Sequence, residues 1–196
     1  MQRLLLPVAS FLSGALIFGV AGTVGLWLMQ VANDEPTFWP ANGLMVVLIL
    51  TLGIGQAGFA LAGATLGGLL VQWVSQSGPM GLALTISDLA EVAIVVLAAE
   101  RLRLTRSGLE TVSSIVALVG ILSVATALSA LGAATTLAWF RNIDYSDSLL
   151  TLWRLNAVSA LIILAPYFAL VRPGWTEQLR AAFRERGRAR IPEYLA

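Results

Sequence analysis

The chain has 196 residues, 58% hydrophobic and 12% charged, with a net charge of +1 at pH 7 and a mean hydropathy of +0.83, so a water-soluble fold would lack the polar surface to cover it and a membrane protein is expected. All 12 basic residues are arginine, and lysine, histidine and cysteine do not occur. That excludes retinal and pyridoxal Schiff bases, the usual haem, zinc, copper and iron-sulfur ligand sets, and the Ser-His and Cys-His nucleophile pairs; no catalytic residue, cofactor or metal centre is expected.

A helical span needs about 20 predominantly apolar residues. The sequence supplies six candidates at about 4–30, 40–54, 57–74, 81–100, 111–138 and 149–171. The expected fold is an all-α polytopic membrane helix bundle occupying residues 1–172, followed by a basic tail or connector at 173–196. Only Gly53 to Gln56 separate the second and third spans, so a re-entrant pair is an alternative to two crossings. The runs are too long and continuous for membrane β-strands.

On the first span, Ala15-Gly19 and Ala21-Gly25 have the spacing that lets helix backbones approach closely. This span opens with Arg3 and is too long for a signal peptide, and no cleavage site precedes Asn33. The second span is entered through Asn33-Asp34-Glu35-Pro36-Thr37-Phe38-Trp39-Pro40-Ala41-Asn42-Gly43. Pro40 suits a first helical turn, where its missing N–H would have had no partner. Trp39 reads either as an interfacial anchor or as a pocket wall. Asn42 sits inside the span with two donors and an acceptor to satisfy. The third span repeats the small-residue spacing in Ala60-Ala64-Gly68 and Gly63-Gly67.

The fourth span carries Thr85, Asp88 and Glu91 at a spacing of three, hence on one helical face. A carboxylate at a span centre costs roughly 2.5 to 3.5 kcal/mol even on the lenient insertion scale, so such residues are functional candidates by default. Counted from Gly81, Asp88 lies roughly 10 Å from the end of the span. The fifth span is rich in Ser and Thr, which commonly bond their own helix backbone. On the sixth, Trp153, Asn156 and Ser159 form a second stripe, with Arg154 turned about 100° from Trp153.

Arginine placement sets the orientation, since cytoplasmic loops carry the excess of basic residues. With six spans, Arg3, the Arg101-Arg103-Arg106 group and the arginines from Arg172 to Arg190 fall on one side, which is assigned to the cytoplasm with both termini. Asp34, Glu35, Arg141, Asp144 and Asp147 fall on the other. The stretch from Thr176 to Arg184 is amphipathic and is expected on the inner leaflet. Membrane-surface charge accounts for its arginines, and no nucleic-acid partner is expected.

Trp39, Asn42, Asp88, Glu91, Asn156 and Arg154 thus define a candidate outward-opening cavity for a small ligand or cation. Internal pairing is the competing reading: Arg154 would neutralise one acid or extend to the headgroups, and Glu91 would be held neutral by a proton.

Three stretches resemble bacterial membrane-associated sensor domains of the MASE type: Trp39-Pro40-Ala41-Asn42-Gly43 opening a span, Asp88-Leu89-Ala90-Glu91 ahead of a span ending in Glu100-Arg101-Leu102, and Trp153 to Pro166 closing the last span. The resemblance runs from about residue 35 to 172. It implies an N-terminal sensory domain, as found on histidine kinases and diguanylate cyclases, which passes an extracytoplasmic or membrane signal to a cytosolic output domain. Asp88 stands where that family often has Asn, and Asn156 and Ala157 stand where an Asp commonly follows the sixth-span tryptophan. Further spans usually follow in the family; Ile191 to Ala196 either begin one, or the chain is a subunit of a larger complex. The expected role is therefore a non-enzymatic signal-input domain in a bacterial inner membrane, partnered by lipid, by a cytosolic output domain or other membrane subunits, and by a ligand or ion. The alternatives are a substrate-binding subunit of a small-molecule transporter and a structural accessory subunit of a membrane complex.

Overall fold

The computed structural model describes residues 2–32, 38–75, 77–104 and 111–170. Asp34, Glu35, Arg106 and the tail expected at 173–196 lie outside these residues, as does the side chain of Arg3. Six helices account for nearly all of the described chain: α1 (Gln2–Val31), α2 (Pro40–Leu52), α3 (Ala57–Val74), α4 (Gly78–Arg101), α5 (Val112–Arg141) and α6 (Tyr145–Leu170). Five of them are long and apolar enough to cross a membrane. The molecule is a multi-pass integral membrane helix bundle.

Helix boundaries follow local chemistry. α2 starts at Pro40, the first-turn position where proline costs no hydrogen bond. α4 begins three residues before the expected Gly81 because Pro79 occupies its first turn. α6 begins four residues before the expected Leu149 because the Asp144 carboxylate accepts from the Asp147 N–H at 3.0 Å, as an N-cap does. α5 opens with a reciprocal cap in which Thr111 and Ser114 each bond the other's backbone N–H, and closes on Asn142 in the left-handed region, φ 53°.

The second span is shorter than the rest. α2 has 13 residues, about 20 Å of helix, against roughly 30 Å of hydrocarbon. Gly53 ends it with φ 95°, and a single turn of 3-10 helix over Ile54–Gln56 reverses the chain into α3. This hairpin returns to the side it came from: Gly22 of α1 faces both Trp39, before α2, and Val71, near the end of α3. A short helix survives here because it is sheathed by protein: α2 packs against α1, α3, α4 and α6, and Ala41, Met45, Val46, Ile49 and Leu50 are essentially fully buried.

α1 and α3 share the most extensive interface, and they run parallel. Phe11 meets Gly63, Ala15 meets Gly67, and Gly22 meets Val71 in rising order along both helices. A Cβ at Gly63 would collide with the Phe11 carbonyl oxygen, and one at Gly67 with the Ala15 carbonyl oxygen. In lipid the helices gain little from the hydrophobic effect, so this close backbone approach and the dispersion contacts it permits are what hold them together. The small-residue spacings in the first and third spans are thus used inside the bundle. Ser10 adds a polar tie, its hydroxyl lying 3.2 Å from Gln56 Oε1.

Candidate functional site

Because α2 is short, its first turn begins inside the bundle. Trp39 lies against Gly22 and Gly25 of α1, and Gly25 is six residues before the end of that helix, about 9 Å in. Asn42 is level with Asp88, ten residues into α4 and about 15 Å from its start. The chain therefore descends into the protein before the helix starts. The recess brings the positive end of the α2 dipole, with its free backbone N–H groups, to the depth of the acids.

Four elements then converge. Asn42 Nδ2 of α2 donates to Asp88 Oδ1 at 3.1 Å, and Asn156 Nδ2 of α6 donates to Glu91 Oε2 at 3.1 Å. The Trp39 backbone N–H donates to Ser159 Oγ of α6 at 3.0 Å, fixing the entry to α2. From α5, Ser129 Oγ is near enough to the Glu91 carboxyl to act on it electrostatically, as Asn42 also does. The two stripes read from the fourth and sixth spans face the same centre, with α2 between them.

Most of the cluster is buried. Asn42, Thr85, Glu91, Ser129 and Asn156 are all buried, with Glu91 only 2% exposed; Asp88 and Trp39 are partly accessible. The polar side chains of the candidate site pack on one another, because lipid offers no partners and such groups must satisfy each other. Satisfaction is incomplete: Asn42 Oδ1, Thr85 Oγ1, Ser129 Oγ and Trp39 Nε1 are buried without a hydrogen-bond partner.

Of the six candidate residues, the structure brings together Trp39, Asn42, Asp88, Glu91 and Asn156. Arg154 stands apart. It is exposed on α6, and no ion pair joins it to either acid among the described residues. Trp39 is packed against α1 in the bundle, which favours the pocket-wall reading over the interfacial anchor. Trp153 turns its Nε1 to the Ser123 carbonyl at 3.2 Å, tying α5 to α6.

Ser129 is the member that sequence reasoning missed. It sits in a helix whose hydroxyls mostly bond their own backbone, as Thr126, Thr135 and Thr136 do. Ser129 makes no such bond, and nothing in its spacing sets it apart from those neighbours.

Away from the cluster, Asp144 accepts from Ser146 Oγ at 2.6 Å and from the Asp147 N–H. These two donors hold its carboxyl below the usual carboxylate range.

Chemically, the arrangement offers two acids, two amides and the hydroxyls of Thr85, Ser129 and Ser159 on four helices, with no histidine, thiol or amine. No group of three or more metal-binding side chains occurs among the described residues. The MASE1 family model matches residues 7–192 of the chain. No curated protein and no solved structure matches it.

Proposed function

The chain belongs to the MASE1 family of membrane-associated sensor domains, and from that premise we propose that it senses a small ligand or ion at the Asp88-Glu91 cluster and relays the event to a cytosolic output partner. The observation that carries this reading is the division of the two acids between helices: Asp88 is held from α2 and Glu91 from α6. Any change in the charge or occupancy of the pair alters one of those attachments. A signal requires a ligand to favour one packing over another, and these two bonds are where the packings would differ in energy. α6 carries Asn156 and leads to the residues after Leu170, so its movement is the proposed output.

In this reading the α3–α4 and α5–α6 turns face the outside of a bacterial inner membrane, and the end of the bundle that carries Arg3, Arg101 and Arg103 faces the cytoplasm. The accessory-subunit alternative needs the small-residue faces free for other proteins. Here Gly14, Gly63 and Gly67 are taken up between α1 and α3.

The test joins the chain to its output domain in cells and replaces both acids, Asp88→Asn with Glu91→Gln. Output locked in one state at wild-type membrane abundance is expected. Output that still responds to stimulus as wild type does would refute the proposal.

A further inference from the structure

Among the described residues the acid pair has no built-in counterion. Facing it are Asn42 and Trp39 from α2, Ser129 from α5, and Asn156 from α6, none of them positively charged. α3 contains no ionisable residue, and the described side chains of α1 contain none. Arg154 is exposed, while Arg101 and Arg141 end their helices. The recessed α2 dipole offers about half a positive charge, against two negative charges if both acids ionise. Isolated buried charge of that size is not tolerated in a low-dielectric interior.

The orphaned atoms say what is missing. Asn42 is 3% exposed and uses its amide nitrogen on Asp88. Its carbonyl Oδ1, fixed beside the same carboxylate by the geometry of the amide, is buried with no donor. An acceptor next to two acceptor-bearing acids can be satisfied only by a donor or a cation. Ser129 Oγ, on a residue also 3% exposed and close to the Glu91 carboxyl, is unpartnered as well; Thr85 Oγ1 is turned toward Gly68 of α3 instead. Asn42 Oδ1 and Ser129 Oγ are oxygens, whereas Trp39 Nε1, the remaining unpartnered atom beside Asp88, is a donor that serves a carboxylate rather than a cation. An all-oxygen set suits a hard cation.

Charge and ligand count then narrow the class. Calcium takes six to eight oxygens, and magnesium keeps several of its waters in an octahedral shell; this cluster is tightly packed and has only two acids. One monovalent ion together with one proton brings the pair to neutrality. We propose that the cluster is a sodium site, in which Asp88, Glu91, the Asn42 carbonyl and the Ser129 hydroxyl hold one Na⁺ and a proton competes for the same carboxylates. This rests on the sensing reading for its physiological meaning, and on the orphaned oxygens for its chemistry.

The experiment uses the full chain purified in lipid nanodiscs. Thermal unfolding and tryptophan emission are titrated with NaCl, with choline chloride holding ionic strength constant, at a series of pH values. The proposal expects a saturable rise in Tm with Na⁺ that choline does not give. It also expects an apparent sodium affinity that falls by up to about tenfold for each pH unit of acidification once proton and ion compete one for one. Ser129→Ala should weaken sodium several-fold, and Asp88→Asn with Glu91→Gln should abolish the sodium effect. Superimposable curves in Na⁺ and choline would overturn the sodium site, as would a pH effect with no sodium contribution; both readouts come from the wild-type protein and survive a variant that does not fold. Either result leaves the output assay of the acid pair standing. Conversely, a sodium effect that the double variant loses without changing output would sink the sensing reading and keep the site.

Discussion

Replacing Gly25 by alanine puts a methyl group against the Trp39 ring, 2.6 Å from Cε3 and 2.8 Å from Cζ3. Ordinary contact begins near 3.4 Å, so the indole must retreat by about 0.8 Å or α1 must tilt away. Overpacking of this kind costs roughly 1 to 3 kcal/mol. Three residues earlier on the same helix, a methyl at Gly22 meets Val71 at 3.5 Å and Trp39 at 3.9 Å, both ordinary contacts. Each substitution replaces an interior glycine by the better helix former and gains the same propensity, about 0.8 to 1 kcal/mol. That gain cancels between the two. Gly25→Ala should therefore be less stable than Gly22→Ala by about 1 to 3 kcal/mol in unfolding of the purified protein. The Trp39 backbone anchors α2 through Ser159, so Gly25→Ala should also shift the basal output of the joined protein, while Gly22→Ala leaves it at wild type. Equal stability and equal output for the two variants would refute the seating of Trp39 on α1 and its role in placing α2.

Gly63→Ala forces α1 and α3 apart at the Phe11 backbone and should lose about 1 to 3 kcal/mol, whereas Gly120→Ala, with nothing within 4 Å of its added methyl, should gain up to about 1 kcal/mol; unfolding in mixed micelles reads both, and matching signs would sink the packing argument. Asn156→Asp exchanges the donor to Glu91 Oε2 for a third carboxylate, so Tm should fall without divalent ions and recover with added Ca²⁺ or Mn²⁺; a Tm unchanged from wild type in both conditions would count against the Asn156-Glu91 bond. For Asp144 the folded carboxyl lies below its ordinary value, so its stabilisation is present above the unfolded value of about 3.9 and is lost as pH falls through the folded one. The stability gap between wild type and Asp144→Ala should be present at neutral pH and close on acidification, and a gap that widens there would contradict the cap.

The helix count, the family and most boundaries are legible in composition and spacing, because a bilayer admits few folds and each one demands long apolar runs. α4 and α6 start earlier than hydropathy alone indicates, since Pro79 and Asp144 are start signals that carry no apolar character. The facing of Asp88 toward Asn42 and of Glu91 toward Asn156 follows once α2 is placed between α4 and α6. That grouping is read from the polar residues of the second, fourth and sixth spans; the recess of α2 into the bundle is not legible, because a 13-residue helix reads as an insecure span and its burial depends on partners far away in the chain. Arg154 looks like a counterion by proximity in sequence to Asn156. Two residues are about 200° on a helix, which puts Arg154 on nearly the opposite face from Asn156. Ser129 is hidden for the opposite reason, resembling every hydroxyl around it.

Asp88 is the accessible member of the acid pair, and in the proposed topology it is reached from the outer face, below the recessed start of α2. The chain has no cysteine, so single cysteines report cleanly. The decisive measurement is the rate at which a small, membrane-impermeant, positively charged thiol reagent, applied from outside to cells, modifies Asp88→Cys. Val95→Cys, two turns further along the same helix at 1% exposure, serves as the reference. The account predicts outside labelling of the cysteine at 88 at least about tenfold faster than at 95, given the partial exposure of Asp88 and the steep dependence of thiol chemistry on access. Equal rates, or labelling at 88 only from the cytoplasmic side, would contradict it.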